Sequence, residues 1–274
     1  MNEPRVYQQP LFGAFFSVVW ILFSCGTIWF ISNLVTNVWF ITPILGVFGV
    51  AFLISLLSYT SKVVITEDEI TSSFLFIPQT LRWTEITRVS GGGNNIKLQN
   101  EDTTVSIPSH LPRFEEIVEI IGQKRGDLFS PQEFSEMHRG LGAYLTFFFI
   151  TLLFMGSIVA FFMLIDFSSN SWLPIAFFIF FFLFFIWAFL SSPQALILEN
   201  NQLHIKYLFG ETSLAANDVT AVFFGYTRGR KGGKQYYIAI HSRDGKQIRV
   251  SGLDVGLPTA YLTLKNWRKK FTNS

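Results

Sequence analysis

Four long apolar runs constrain this chain more than any other feature. They cover residues 11–34, 39–58, 141–165 and 172–190, and none holds an interior Asp, Glu, Lys or Arg. Asp166 lies just past the third run. A helix needs about 20 mainly apolar residues to cross a bilayer, so each run meets the length requirement on paper. Composition points the same way: charged residues make up 15% of the 274, against about 25% in an ordinary soluble domain. With 32 Phe, a water-soluble fold of this size has nowhere to hide its rings. A soluble enzyme, a disordered chain and a disulfide scaffold are all argued against, the last because Cys25 is the single cysteine.

The runs fall into two pairs with short links, one centred on Thr36, Asn37 and Val38 and the other made of residues 168–171. Each pair reads as a tight helical hairpin. Pro43 and Pro174 fall in the first turn of the following helix, where a missing N–H costs little. Trp39 and Trp172 sit where interfacial anchors belong. Neither link carries Lys or Arg, whereas Arg5, Lys62, Arg139 and the C-terminal region lie on the other side. The positive-inside rule then predicts cytoplasmic termini and polar segments in a multi-pass protein of the bacterial cytoplasmic membrane. A cleaved lipoprotein signal ending at Cys25 fits poorly, because Phe23 precedes Ser24 and the apolar run continues.

The order hairpin, polar segment, hairpin, polar segment suggests duplication. A shift of 133 places Glu67–Val89 on Asn200–Val222 without a gap, with five identities: Leu75, Phe76, Leu81, Thr87 and Val89 meet Leu208, Phe209, Leu214, Thr220 and Val222. The first polar segment alternates through 62–66 and 69–77, then shows short strands at 81–83, 86–89, 96–98 and 105–107. Phe114, Ile117 and Ile121 follow at helical spacing. The second repeats this order, with Asp244–Gly245 as its strongest hairpin signal and Ala260, Leu264, Trp267 and Phe271 on a closing helix. The natural packing is a bent antiparallel sheet closed by a C-terminal helix.

Ile65–Ile70 and Leu81–Val89 resemble the corresponding stretches of bacterial pleckstrin-homology-like domains. That resemblance implies a domain following each transmembrane hairpin, and a membrane-proximal binding or scaffolding role without a shared catalytic centre. The second copy departs from it at Ala216, where the tryptophan would stand. The expected fold class is therefore an α+β membrane protein with four transmembrane helices as two hairpins, each followed by a pleckstrin-homology-like sheet and helix. Its divisions are a hairpin at 11–58, a domain at 59–130, a linker at 131–140, a hairpin at 141–190 and a domain at 191–274.

Charge separates the two domains. Residues 59–140 hold 8 Lys and Arg against 12 Asp and Glu, net −4; residues 191–274 hold 12 against 5, net +7. The excess gathers in two places. A glycine-framed loop carries Arg228, Arg230, Lys231 and Lys234, and the last turns of the chain carry Lys265, Arg268, Lys269 and Lys270. These eight are the candidate lipid- or partner-binding residues. Each cation near an anionic leaflet contributes about 1 kcal/mol. Specific headgroup recognition, nonspecific leaflet contact and a merely solvated surface, with helix-end cations suiting the macrodipole, all remain open.

Catalysis finds little support. His110, His138, His204 and His241 show no metal-ligand spacing, and the glycine runs lack a P-loop sequel. No enzyme, cofactor or metal site is expected. Nucleic acid is a poor fit, since aromatics interleave sparsely with the cations. The expected function is an integral membrane binding or scaffold protein, its basic second domain meeting anionic lipid or an acidic partner. The alternative is a small transporter or channel lined by Thr42, Ser55, Thr146, Thr151 and Ser157. Oligomeric state is open.

Overall fold

The computed structural model describes residues 4–9, short groups between 14 and 57, and then 59–75, 77–164, 172–228 and 234–272, with backbone alone at 158–164, 172–175, 178 and 272. Most of the first apolar pair lies outside the described residues, as does the link between the second pair.

Among the described residues, four small antiparallel sheets carry the fold. The first is ordered β1 (Arg5–Gln8), β2 (Lys62–Ile65), β3 (Glu69–Phe74), β4 (Ile77–Arg82). A 3₁₀ turn at Trp83–Glu85 leads to β5 (Arg88–Gly92), β6 (Asn95–Gln99) and β7 (Thr104–Ile107), which form the second, and then to helix α1 (Phe114–Lys124). After β8 (Glu136–His138) come helices α2 (Leu141–Leu164) and α3 (Trp172–Leu190). The third sheet adds β9 (Ala195–Glu199), β10 (Gln202–Tyr207) and β11 (Gly210–Ala215) beside β8. A 3₁₀ turn at Ala216–Asp218 precedes the fourth, β12 (Val219–Arg228), β13 (Lys234–Ser242) and β14 (Gln247–Val250), and α4 (Leu257–Thr272) ends the chain.

Strand alternation explains the faces. Val63 and Ile65 in β2, Ile70 in β3, and Leu203 and Ile205 in β10 turn inward, while their neighbours are more exposed. Trp83 and Ile86 are buried. The chain forms two compact units, residues 1–88 with 97–117 and residues 89–96 with 118–274. Their boundary cuts through β5, β6 and α1.

The repeat is visible in the element bounds. Adding 133 carries β3, β4 and the first 3₁₀ turn onto β10, β11 and the second, residue for residue. β7 and the start of α1 need 143 to reach β14 and the start of α4. The second copy thus gains ten residues, all in the β12–β13 ribbon. Each copy also recruits an edge strand from before its apolar pair. Tyr7 of β1 faces Val63, and Met137 of β8 faces Leu196. Residues 131–140, expected as a linker, thus hold a strand.

The membrane architecture is corrected. Among the described residues no helix is long and apolar enough to cross a membrane. This overturns the fold class of four transmembrane helices in two hairpins. With it go the integral membrane scaffold, the transporter or channel alternative and the multi-pass localisation. Hydropathy registers composition, which these helices have in abundance; it does not by itself establish a span.

Candidate functional site

The added ribbon builds the site. Its register runs from Val219 opposite Ser242 to Arg228 opposite Lys234, with a bulge between Val219 and Ala221. β14 pairs only with Ile238–His241 of β13. Outward of Phe224 and Ile238 the ribbon is therefore a two-stranded arm.

One face of the arm is aromatic and ends in cations. Phe224, Tyr226 and Arg228 alternate onto it from β12; Tyr236 and Lys234 join from β13 through direct cross-strand pairing. Phe224 stacks on Tyr236 at 5.2 Å and meets Tyr261 of α4 at 5.5 Å, which anchors the root of the arm. The Lys234 ammonium lies 4.2 Å from the centre of the Tyr226 ring and 5.7 Å from that of Tyr236. Arg228 lies 6.0 Å from Tyr226. The ring faces attract these cations. Arg230 and Lys231 lie outside the described residues.

The second candidate cluster does not stay together. Lys265 is paired with Glu119 at 2.5 Å, and Glu119 also accepts from the Tyr261 hydroxyl. Burial, with Glu119 beside it, pushes the Tyr261 phenol well above its ordinary value. Arg268 turns its Nε to the Val219 carbonyl at 2.8 Å. Lys269 and Lys270 are exposed, Lys270 beside the Phe271 ring at 5.7 Å. Arg268 thus sits at the root of β12, nine residues from Arg228, about 30 Å at strand rise. Among the described cations, Arg228 and Lys234 lie at the outer end of the ribbon and Arg268 at its root.

Sequence spacing missed a polar cluster on the third sheet. His204 faces Ser213 across the β10–β11 pair. Its Nδ1 lies 2.5 Å from Glu211 Oε1 and 3.0 Å from Ser213 Oγ, while Nε2 is 4.0 Å from Glu199 Oε2. Strand register makes the group, and no fixed sequence interval signals it. The serine and the nearer carboxylate share one ring nitrogen, so the histidine cannot relay a proton from one to the other as in a nucleophile–base–acid chain. Among the described residues no group of three or more acidic, histidine or cysteine side chains is placed to hold a metal.

Neither a protein-family model nor a curated protein matches the chain.

Proposed function

We propose that the chain is a binding protein that captures an acidic segment of a protein partner on the tip of the β12–β13 arm. The observation that carries this reading is the single face that presents Arg228 and Lys234 beside the half-buried Tyr226, with the buried Tyr236 as its support. Tyrosine and arginine are the residues that concentrate binding energy at protein interfaces, and a rigid ring loses little entropy when covered. Arg230 and Lys231 follow in the same glycine-rich stretch of the sequence and add two further cations. Exposed ion pairs contribute about 0.2–1 kcal/mol each, so four support an interaction of roughly 1–4 kcal/mol before the rings are counted. Such binding weakens steeply with salt.

Anisotropy of a labelled oligo-glutamate peptide, titrated with the full chain across a salt series, tests this. Replacing Arg228, Arg230, Lys231 and Lys234 by Ala should lower affinity at least tenfold and flatten the salt dependence. Binding that survives the replacement unchanged removes the arm as the site.

A further inference from the structure

We infer that a second site, the cavity at the start of α2, binds a small amphiphilic anion: a carboxylate on an unbranched apolar chain, with Arg139 as its anchor. The cavity measures about 360 Å³, within the range of about 300–1,000 Å³ that small-molecule sites occupy. At the about 30 Å³ that a water takes in the liquid, it has room for roughly a dozen non-hydrogen atoms. Its walls are apolar, with Phe147, Ile150, Phe185 and Leu253 among them. Phe147 stacks at 3.9 Å on Phe189 and at 5.3 Å on Phe185, which makes one side of the slot a continuous ring surface.

Arg139 supplies the charge. Its backbone is fixed by a bond from its N–H to the Gln194 carbonyl at 2.7 Å and by a bridge to Leu253. Its guanidinium lies 4.1 Å from the centre of the Phe189 ring. One terminal nitrogen donates to the Phe189 carbonyl at 3.4 Å and to Ser192 Oγ, while Nε is buried without a hydrogen-bond partner. Among the described ion pairs none includes Arg139. A partly buried cation without a described counter-charge favours an incoming anion, which supplies one. Burial also draws the Arg139 pKa downward, as expected for a cation lacking a counter-charge.

Two further features fit an elongated ligand. Gly140, Gly142 and Gly252 border the cavity, and a Cβ added at Gly142 would meet nothing within 4 Å. Side chains at the mouth are thus minimal. The start of α2, whose Gly142 and Ala143 line the cavity with Arg139, adds the positive end of a helix. The first copy lacks the charge. There the position after the β1 strand is Gln9, whose amide donates to the His110 carbonyl at 2.7 Å. His110 corresponds to Leu253 under the shift of 143, so Gln9 occupies the place of Arg139 with a neutral side chain.

Isothermal titration of the full chain with decanoate, and with decanol as the neutral match, tests the site. Decanoate should bind at least tenfold more tightly than decanol. Arg139→Gln should bring the two to parity, and the alanine replacements at the arm tip should change neither. Gly142→Leu leaves Arg139 in place and fills the mouth, so it should weaken decanoate at least tenfold while circular dichroism stays unchanged; it decides the matter where Arg139→Gln fails to fold. Equal binding of the two compounds by the unaltered chain overturns the inference. So does a carboxylate preference that survives Arg139→Gln, or decanoate affinity unmoved by Gly142→Leu.

Discussion

The two copies solve one packing problem with tryptophans in different places. In the first, Trp83 of the 3₁₀ turn is buried and its indole N–H donates to the Thr66 carbonyl at 3.3 Å, at the β2–β3 turn. In the second, the matching residue is Ala216, and Trp267 of α4 donates to the Asn200 carbonyl at 2.9 Å, at the β9–β10 turn. The residue matching Trp267 in the first copy is Lys124. The indole has moved from turn to helix while the sheet beneath kept its register. Trp83 N–H donates to the Asp68 carbonyl and Ala216 N–H to the Asn201 carbonyl, both at 2.9 Å and related by the same shift of 133. A duplicated frame thus tolerates exchange of its large core residues, provided that each turn keeps one indole donor. The freedom to lengthen went to the ribbon, where ten added residues project without disturbing the frame.

The largest expected effect is on that exchange. Trp267→Ala should lower stability by about 3–5 kcal/mol, read by denaturant unfolding of the full chain. Trp83→Ala should cost a similar amount. Adding Ala216→Trp to Trp267→Ala should recover at least about 1 kcal/mol, because it restores the first copy's arrangement; alone, Ala216→Trp should overpack the site and cost about 1–3 kcal/mol. No recovery in the double variant would break the comparison.

A smaller effect is expected where α4 meets α1. Glu119→Gln weakens the acceptor shared by Tyr261 and Lys265, both bonds being partly exposed to water. A loss of about 0.5–1.5 kcal/mol is predicted. The same contact gives a pH signature. The folded state holds the Tyr261 proton above its ordinary 10.0, so this contribution is complete below pH 10.0 and declines as the unfolded chain ionises above it. Tyr261→Phe should flatten the decline in unfolding curves measured from pH 8 to 11. The smallest effect is at Asp127, whose carboxyl Arg125 holds below the ordinary 3.8 through its hydrogen bonds. That contribution is present above 3.8 and fades as pH falls through the folded value. Asp127→Asn should therefore cost less than about 1 kcal/mol at neutral pH and remove the acid dependence.

How much was legible in the sequence follows from what each signal measures. The alternation at Lys62–Ile65 and the helical spacing of Phe114, Ile117 and Ile121 mark real elements, because inward-facing positions must be apolar. The β3–β4 hairpin was not legible. Residues 69–77 read as one strand, whereas the chain turns after Phe74 with Leu75 at a φ of 51°. An apolar residue occupies a backbone region that usually signals itself with Gly or Asn. β1 and β8 were hidden for another reason: each is short and pairs with a strand beyond an apolar pair, so no local pattern predicts it. The cationic tip was read from composition, yet its aromatic support was not. Tyr226, Tyr236 and Lys234 meet only because the cross-strand register brings them to one face. Arg268 and Arg228 lie at opposite ends of the ribbon, a separation set by strand length that composition does not carry.

The central claim is that the added arm carries binding and the frame does not need it. Excising residues 226–237 and inserting a Gly–Asn pair gives the second copy the short turn that Gly93 and Asn94 make in the first. Peptide anisotropy and thermal unfolding of this full-length variant are the direct measurement. The account predicts a folded protein, with a melting temperature within a few degrees of the unaltered chain and oligo-glutamate binding lost. Retained, salt-sensitive binding in the folded variant would contradict it.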